Sequence, residues 1–244
     1  MFRLLNLILT SLFTFILMVL VGCAETDEDK VGSAQYCLDD VPASGLTATD
    51  RQTKINSCLS KITNVKTKQA SLIRCSGGFL IEGFGDPAIL VNALTTMNDS
   101  TGGNGTTALM NVLAFKTQGA SSTATSDEDK VFAQKTFDYC NEAGNPGFVM
   151  FASISNMATV FASIAAKVGS TSIADLINNP ASAATLLAES DEIIGATAAA
   201  AYQTSCTSGD ETNAELCSQL GTAMDSGATA EQIGAALRDG WKSQ

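Results

Sequence analysis

Apolar positions along this chain form three patterns: an almost unbroken run near the start, stripes at helical spacing, and one long, nearly uncharged segment. The run extends from Leu4 to Val21, interrupted by Asn6, Thr10, Ser11 and Thr14. The chain then turns acidic at once (Ala24-Glu25-Thr26-Asp27-Glu28-Asp29), and residues 24–34 read as a flexible polar tether without periodicity. From about Thr47 the spacing becomes helical. Ile55, Cys58, Leu59 and Ile62 fall at i, i+3, i+4 and i+7 and make one buried stripe. Leu72, Cys75, Phe79 and Leu80 share the next face, where Gly77-Gly78 either admits a close neighbour or breaks the helix. Asp86-Pro87 reads as an N-cap followed by proline at the first helical position, opening a stripe of Ile89, Leu90, Ala93, Leu94 and Met97. A helix over about 106–116 follows. Ser126-Asp127-Glu128-Asp129 then opens another, carrying Val131, Phe132, Tyr139 and Cys140 and ending before Gly144 and Pro146.

The long segment runs from Phe148 to Val168 and carries no charge before Lys167. Phe151, Ile154, Phe161, Ile164 and Val168 line one face, and Val149, Met150, Met157 and Val160 widen it. A helix so apolar is either a membrane span or a core element that others pack around. Ser153, Ser155, Asn156, Thr159 and Ser163 make it only modestly apolar and favour the core. A cavity beside Phe151, Met157 and Phe161, taking a lipid or other apolar ligand, is the functional alternative. Beyond Gly169 come a weak capping box at Ser172–Asp175, a break at Asn179-Pro180, and an alanine-rich helix pair to about Thr204. Two last helices span about 211–224 and 229–242. No stretch sustains period-two alternation. The expected fold class is therefore all-α: a disulfide-stapled bundle or array of helical hairpins around residues 148–168, with 35–244 a single helical domain. Gly78–Leu94 and Gly221–Leu237 align without gaps, a grammar loosely similar to tetratricopeptide-type hairpins but without their aromatic ladder or 34-residue period.

The first apolar run ends at Leu20-Val21-Gly22-Cys23 and is preceded by Arg3. A basic start, an apolar core and a small residue before the break are the parts of a secretory signal. The junction itself resembles the lipobox of bacterial lipoproteins. The resemblance implies that Cys23 is acylated, that residues 1–22 are removed as a signal peptide, and that 23–34 form an acylated tether. In that family an aspartate after the cysteine favours the inner membrane. Ala24 therefore implies the outer membrane, with the protein facing the periplasm or the cell surface. Several acyl chains anchor stably where one binds marginally. Leu4–Gly22, at 19 residues, is also close to the roughly 20 that cross a bilayer, so a plain transmembrane helix is the competing reading. A disulfide at Cys23 is the third, and it leaves an odd cysteine elsewhere.

Composition narrows the chemistry. The chain has seven cysteines and no histidine. Setting Cys23 aside leaves Cys37, Cys58, Cys75, Cys140, Cys206 and Cys217, an even set that in an exported chain reads as a disulfide framework. Cys206 and Cys217 flank a short polar turn and are the favoured local pair, a closure that stabilises by roughly 3 kcal/mol. Without histidine or a C-x-x-C motif, the usual zinc and thioredoxin-like sites are absent, and no metal or cofactor is expected. Arg3 is the only charged residue before Cys23, so the exported part carries 13 basic and 25 acidic side chains, a balance of −12. That balance argues against nucleic acid as a partner. The membrane, through the acyl chains, and an envelope protein are the partners expected. The glycine-rich loop 99–105 lacks the Gly-Lys-Ser/Thr of a phosphate loop and the alternating acids of a calcium loop.

Nucleophilic triads need histidine, which leaves carboxylate chemistry. Glu82 and Asp86, set among Gly83, Phe84 and Gly85, are the best pair for two acids about 5–10 Å apart, and Asp191-Glu192 is another. One tryptophan and three tyrosines are few for binding sugars. The expected function is thus a non-catalytic, envelope-anchored helical scaffold or partner-binding module. A carrier of an apolar ligand is the first alternative and a carboxylate hydrolase the second.

Overall fold

Thr26, Thr47, Thr67, Ser126 and Asn145 each stand in extended backbone, and each accepts a hydrogen bond from the N–H three residues on. Such caps satisfy N–H groups that a helix start leaves without partners. They open the first five helices: α1 Asp27–Asp39, α2 Ala48–Ser60, α3 Lys68–Glu82, α4 Asp127–Ala143 and α5 Pro146–Lys167. Three more follow: α6 Ala184–Glu189, α7 Asp191–Ser205 and α8 Ala230–Trp241. The computed structural model describes residues 25–42, 44–86, 88, 91, 110–118, 125–170, 173, 176, 184–206, 217–218, 221–222, 224 and 228–241. Among these there is no strand, and the fold is all-α. The Leu20–Cys23 junction, loop 99–105, the Ser172–Asp175 box and most of 211–224 lie outside the described residues. So do most of the Ile89–Met97 stripe and, with it, the comparison of the two repeat halves.

The helices stack in series. α1 packs on α2 and α3, α3 on α4, α4 on α5, α5 on α6 and α7, and α7 on α8. Three apolar clusters run through the stack. The first joins Val31, Ala34 and Leu38 of α1 to Ile55 of α2 and to Ile73 and Ile81 of α3. The second gathers Phe79, Phe115, Phe137 and Val149, with Phe84, Phe148 and Phe151 against them. The third holds Phe161, Ile164, Ile194, Ala198, Ile233 and Leu237. Helix α5 contributes to the second and third clusters but not to the first. It is therefore the shared wall of the middle and C-terminal parts, whereas the N-terminal helices have a core of their own.

One expectation needs correction, and one left open is decided. The tether does not reach residue 34, because α1 begins at Asp27. A capping box between Thr26 and Asp29 starts it, and burial of Val31 and Ala34 holds it against the domain. Gly77-Gly78 does not break α3. A Cβ at Gly78 would lie 2.4 Å from Thr136 Oγ1, and one at Gly77 would lie 2.9 Å from Leu59, so the glycines admit α4 and α2. Gly195 and Gly234 do the same for α7 and α8. Their Cβ atoms would fall 1.7 Å from Ala230 O and 1.9 Å from Asp191 O, a backbone-to-backbone approach that only glycine permits.

Asn145 caps α5 and Pro146 takes its first position, where a missing N–H costs nothing. The helix is long and apolar enough to cross a membrane, yet 72% of its most apolar stretch is buried inside the structure. Some of its polar side chains find partners within the core, while the Ser155 and Ser163 hydroxyls and Asn156 Oδ1 are buried without one among the described residues. Ser153 donates to Val149 O at 2.8 Å, and Asn156 Nδ2 donates to Gln134 Oε1 at 2.9 Å and Thr197 Oγ1 at 3.2 Å. The six cysteines after Cys23 are all paired: Cys37–Cys58 ties α1 to α2, Cys75–Cys140 ties α3 to α4, and Cys206–Cys217 closes the turn after α7.

Candidate functional site

Two polar constellations lie near α3, one built from acids and one from bases. Glu82, the last residue of α3, is buried beneath residues 115–118. Its Oε2 accepts the Lys116 N–H at 2.9 Å and its Oε1 accepts the Thr117 hydroxyl. Asp129, in the first turn of α4, is wholly buried. Its Oδ1 accepts the Gln118 N–H at 2.7 Å, and its Oδ2 accepts both the N–H and the hydroxyl of Ser126 at 2.8 Å. Thr159 Oγ1 of α5 takes the Phe115 N–H at 2.9 Å, and Thr125 donates its hydroxyl to Phe115 O at 3.1 Å. The strap 115–118 has no helical partners for its backbone. Side chains from α3, α4 and α5 supply them instead.

Each of the four carboxylate oxygens of Glu82 and Asp129 is therefore bonded to the strap or to the α4 cap. Burial raises the Glu82 pKa, opposed by the bonds from Thr117 and Lys116 and aided by the charge of Asp129. Asp86, the acid expected beside Glu82, accepts the Ala88 N–H at 2.9 Å through its Oδ1. Asp191 is buried and Glu192 exposed, so neighbours in sequence point to different surroundings. The sequence shows Asp129 as a capping acid. Its second bond, to a strap 11 residues upstream, has no local signature.

Glu82→Ala would strand two part-buried donors, at about 1–3 kcal/mol each. The expected loss of stability is about 2–5 kcal/mol by denaturant unfolding. The pH dependence has a definite sign. With its pKa raised, folded Glu82 keeps its proton above 4.5, where the unfolded chain has released it, so this group's contribution falls as pH rises through the folded value. A Glu82→Gln variant lacks that slope, so its stability relative to the parent should improve as pH rises above about 4.5.

The basic constellation lines a groove of about 330 Å³ between α2, α3 and α4. Its floor is apolar (Leu59, Ile81, Phe132), and its walls carry Arg74, Lys135 and Tyr139. Arg74 Nη2 donates to Ile62 O, to Val65 O at 2.8 Å and to Thr63 O at 3.5 Å, which fixes the guanidinium against the α2–α3 turn. The guanidinium carbon lies 5.4 Å from the Tyr139 ring centre, and Lys135 Nζ lies 5.9 Å from it. Ion pairs among the described residues join Asp27 to Lys30 and Asp127 to Lys130 and Lys167. Neither Arg74 nor Lys135 takes part in one.

The sequence does not assemble this groove, since 61 residues separate its two cations. The one local signal is Arg74, whose i±3 and i±4 neighbours are Ala70, Ser71, Gly77 and Gly78, none able to neutralise it. No family model, curated protein or solved structure matches the chain.

The three residues expected to line a cavity, Phe151, Met157 and Phe161, divide between two apolar clusters. Phe151 meets Phe79 at 4.7 Å and Phe84 at 5.6 Å in the middle cluster, while Met157 and Phe161 pack in the C-terminal one. Six residues separate 151 from 157, which places them about 120° apart around the helix. All six predicted disulfide cysteines are paired, including Cys206 with Cys217. Cys23, the predicted lipidation site, lies outside the described residues.

Proposed function

We propose that the protein is an exported lipoprotein, acylated at Cys23 and held at the cell envelope by its acyl chains, where it serves as a non-catalytic helical module for an envelope partner. The observation that carries this reading is the cysteine pattern. Six of the seven are consumed in three disulfides, which suits an oxidising compartment and leaves no cysteine partner for Cys23. The Leu20-Val21-Gly22-Cys23 junction then gives the seventh its role. Ala24 in the following position supports the outer membrane, facing the periplasm or the surface, as the site of anchoring. The non-catalytic part of the reading is supported by Glu82 and Asp129, whose oxygens are occupied in holding the strap.

Metabolic labelling with a clickable fatty acid tests the proposal. The parent should take up label and fractionate with membranes. Cys23→Ser should lose the label and accumulate as an uncleaved precursor. Equal labelling of the two would overturn it.

A further inference from the structure

The groove between α2, α3 and α4 places two cations beside one ring, and neither forms an ion pair among the described residues, although the protein carries a formal net charge of −11. We propose that it is a binding site for a carboxylate on a short apolar stem. Arg74 is positioned before any ligand arrives. Three backbone carbonyls hold its Nη2, and its Nε and Nη1, which lie on different edges of the guanidinium, remain as single donors to an acceptor oxygen. Lys135 supplies the second charge from α4, across the ring of Tyr139.

The remaining groups select the head. Ser60, Thr63 and Thr136 each donate their hydroxyl hydrogen to a carbonyl one turn back, so they offer the groove acceptors rather than donors. Two cationic donors match the two oxygens of a carboxylate better than the larger donor set that a phosphate takes. Leu59, Ile81 and Phe132 form the floor on which a hydrocarbon stem rests. A volume of about 330 Å³ stands at the lower end of small-ligand sites, which limits the stem to a few carbons.

Isothermal titration of the purified, disulfide-bonded full chain with hexanoate, hexanol and hexyl phosphate tests the site. Hexanoate should bind saturably and more weakly as salt is raised. Hexanol should not saturate, and hexyl phosphate should bind at least threefold more weakly than hexanoate. Lys135 is exposed and takes part in no ion pair among the described residues, so Lys135→Gln should weaken hexanoate at least fivefold without moving the melting temperature. Lys135→Glu should abolish binding. Absence of saturable hexanoate binding overturns the proposal, as does unchanged affinity in Lys135→Gln. Hexyl phosphate binding as tightly as hexanoate overturns the choice of a carboxylate head.

Discussion

Truncating Phe161 to alanine is expected to lower the stability of the protein by about 3–5 kcal/mol. The side chain is only 1% exposed and packs in the cluster that joins α5 to α7 and α8. Around it stand Ile164 from its own helix, Ile194 and Ala198 from α7, and Ile233 from α8. The alanine-rich composition of α7 limits how far these neighbours can move in to fill the space, because small side chains already bring the helices close. Gly195 against Ala230 and Gly234 against Asp191 leave the α7–α8 pair no room for further approach. Relaxation is therefore small and the cavity persists, which is the condition for a cost near the top of the range. An ordinary domain is stable by about 5–15 kcal/mol, so the variant should melt many degrees below the parent. The measurement is thermal unfolding with the disulfides intact. A melting temperature within a degree or two of the parent would show that the ring lines a surface rather than fills a core.

Helix α5 was legible because every local signal agreed. Asn145-Pro146 is a cap followed by its preferred first residue, no charge interrupts the helix before Lys167, and Gly169 follows it with φ +71°. Helix α1 was hidden for the opposite reason. Its apolar stripe is only Val31, Ala34 and Leu38, set among Asp27, Glu28 and Asp29, which read as the solvated start of a tether. The Thr26–Asp29 capping box was the signal that would have revealed it. Parity made the oxidation of the cysteines readable, but connectivity was readable only where two lay close in sequence, at Cys206 and Cys217. Neither polar constellation was visible in advance. Glu82 and Asp129 act on backbone N–H groups, which every residue carries and no pattern marks, and Arg74 meets Lys135 only after α3 packs on α4.

Replacing Cys75 and Cys140 together by alanine should cost about 4 kcal/mol, the largest loss among the three disulfides. Cross-linking reduces the freedom of the unfolded chain in proportion to the logarithm of the loop it closes. This bond closes 65 residues, against 21 for Cys37–Cys58 and 11 for Cys206–Cys217, for which the same relation gives about 3 kcal/mol each. The long loop also contains the strap 115–118, whose attachment through Glu82 and Asp129 depends on α3 and α4 staying together. Both sulfurs sit in fully buried residues, whereas Cys37 and Cys206 are partly exposed. A reductant acting on the folded protein should therefore open the outer two bonds first and reach Cys75–Cys140 only as the stack unfolds. Denaturant melts of the three double-alanine variants, with timed alkylation of the parent under reductant, check both statements. If the Cys75/Cys140 variant proved the most stable of the three, the α3–α4 contact would hold without its bond, and loop closure would not govern the stability of this fold.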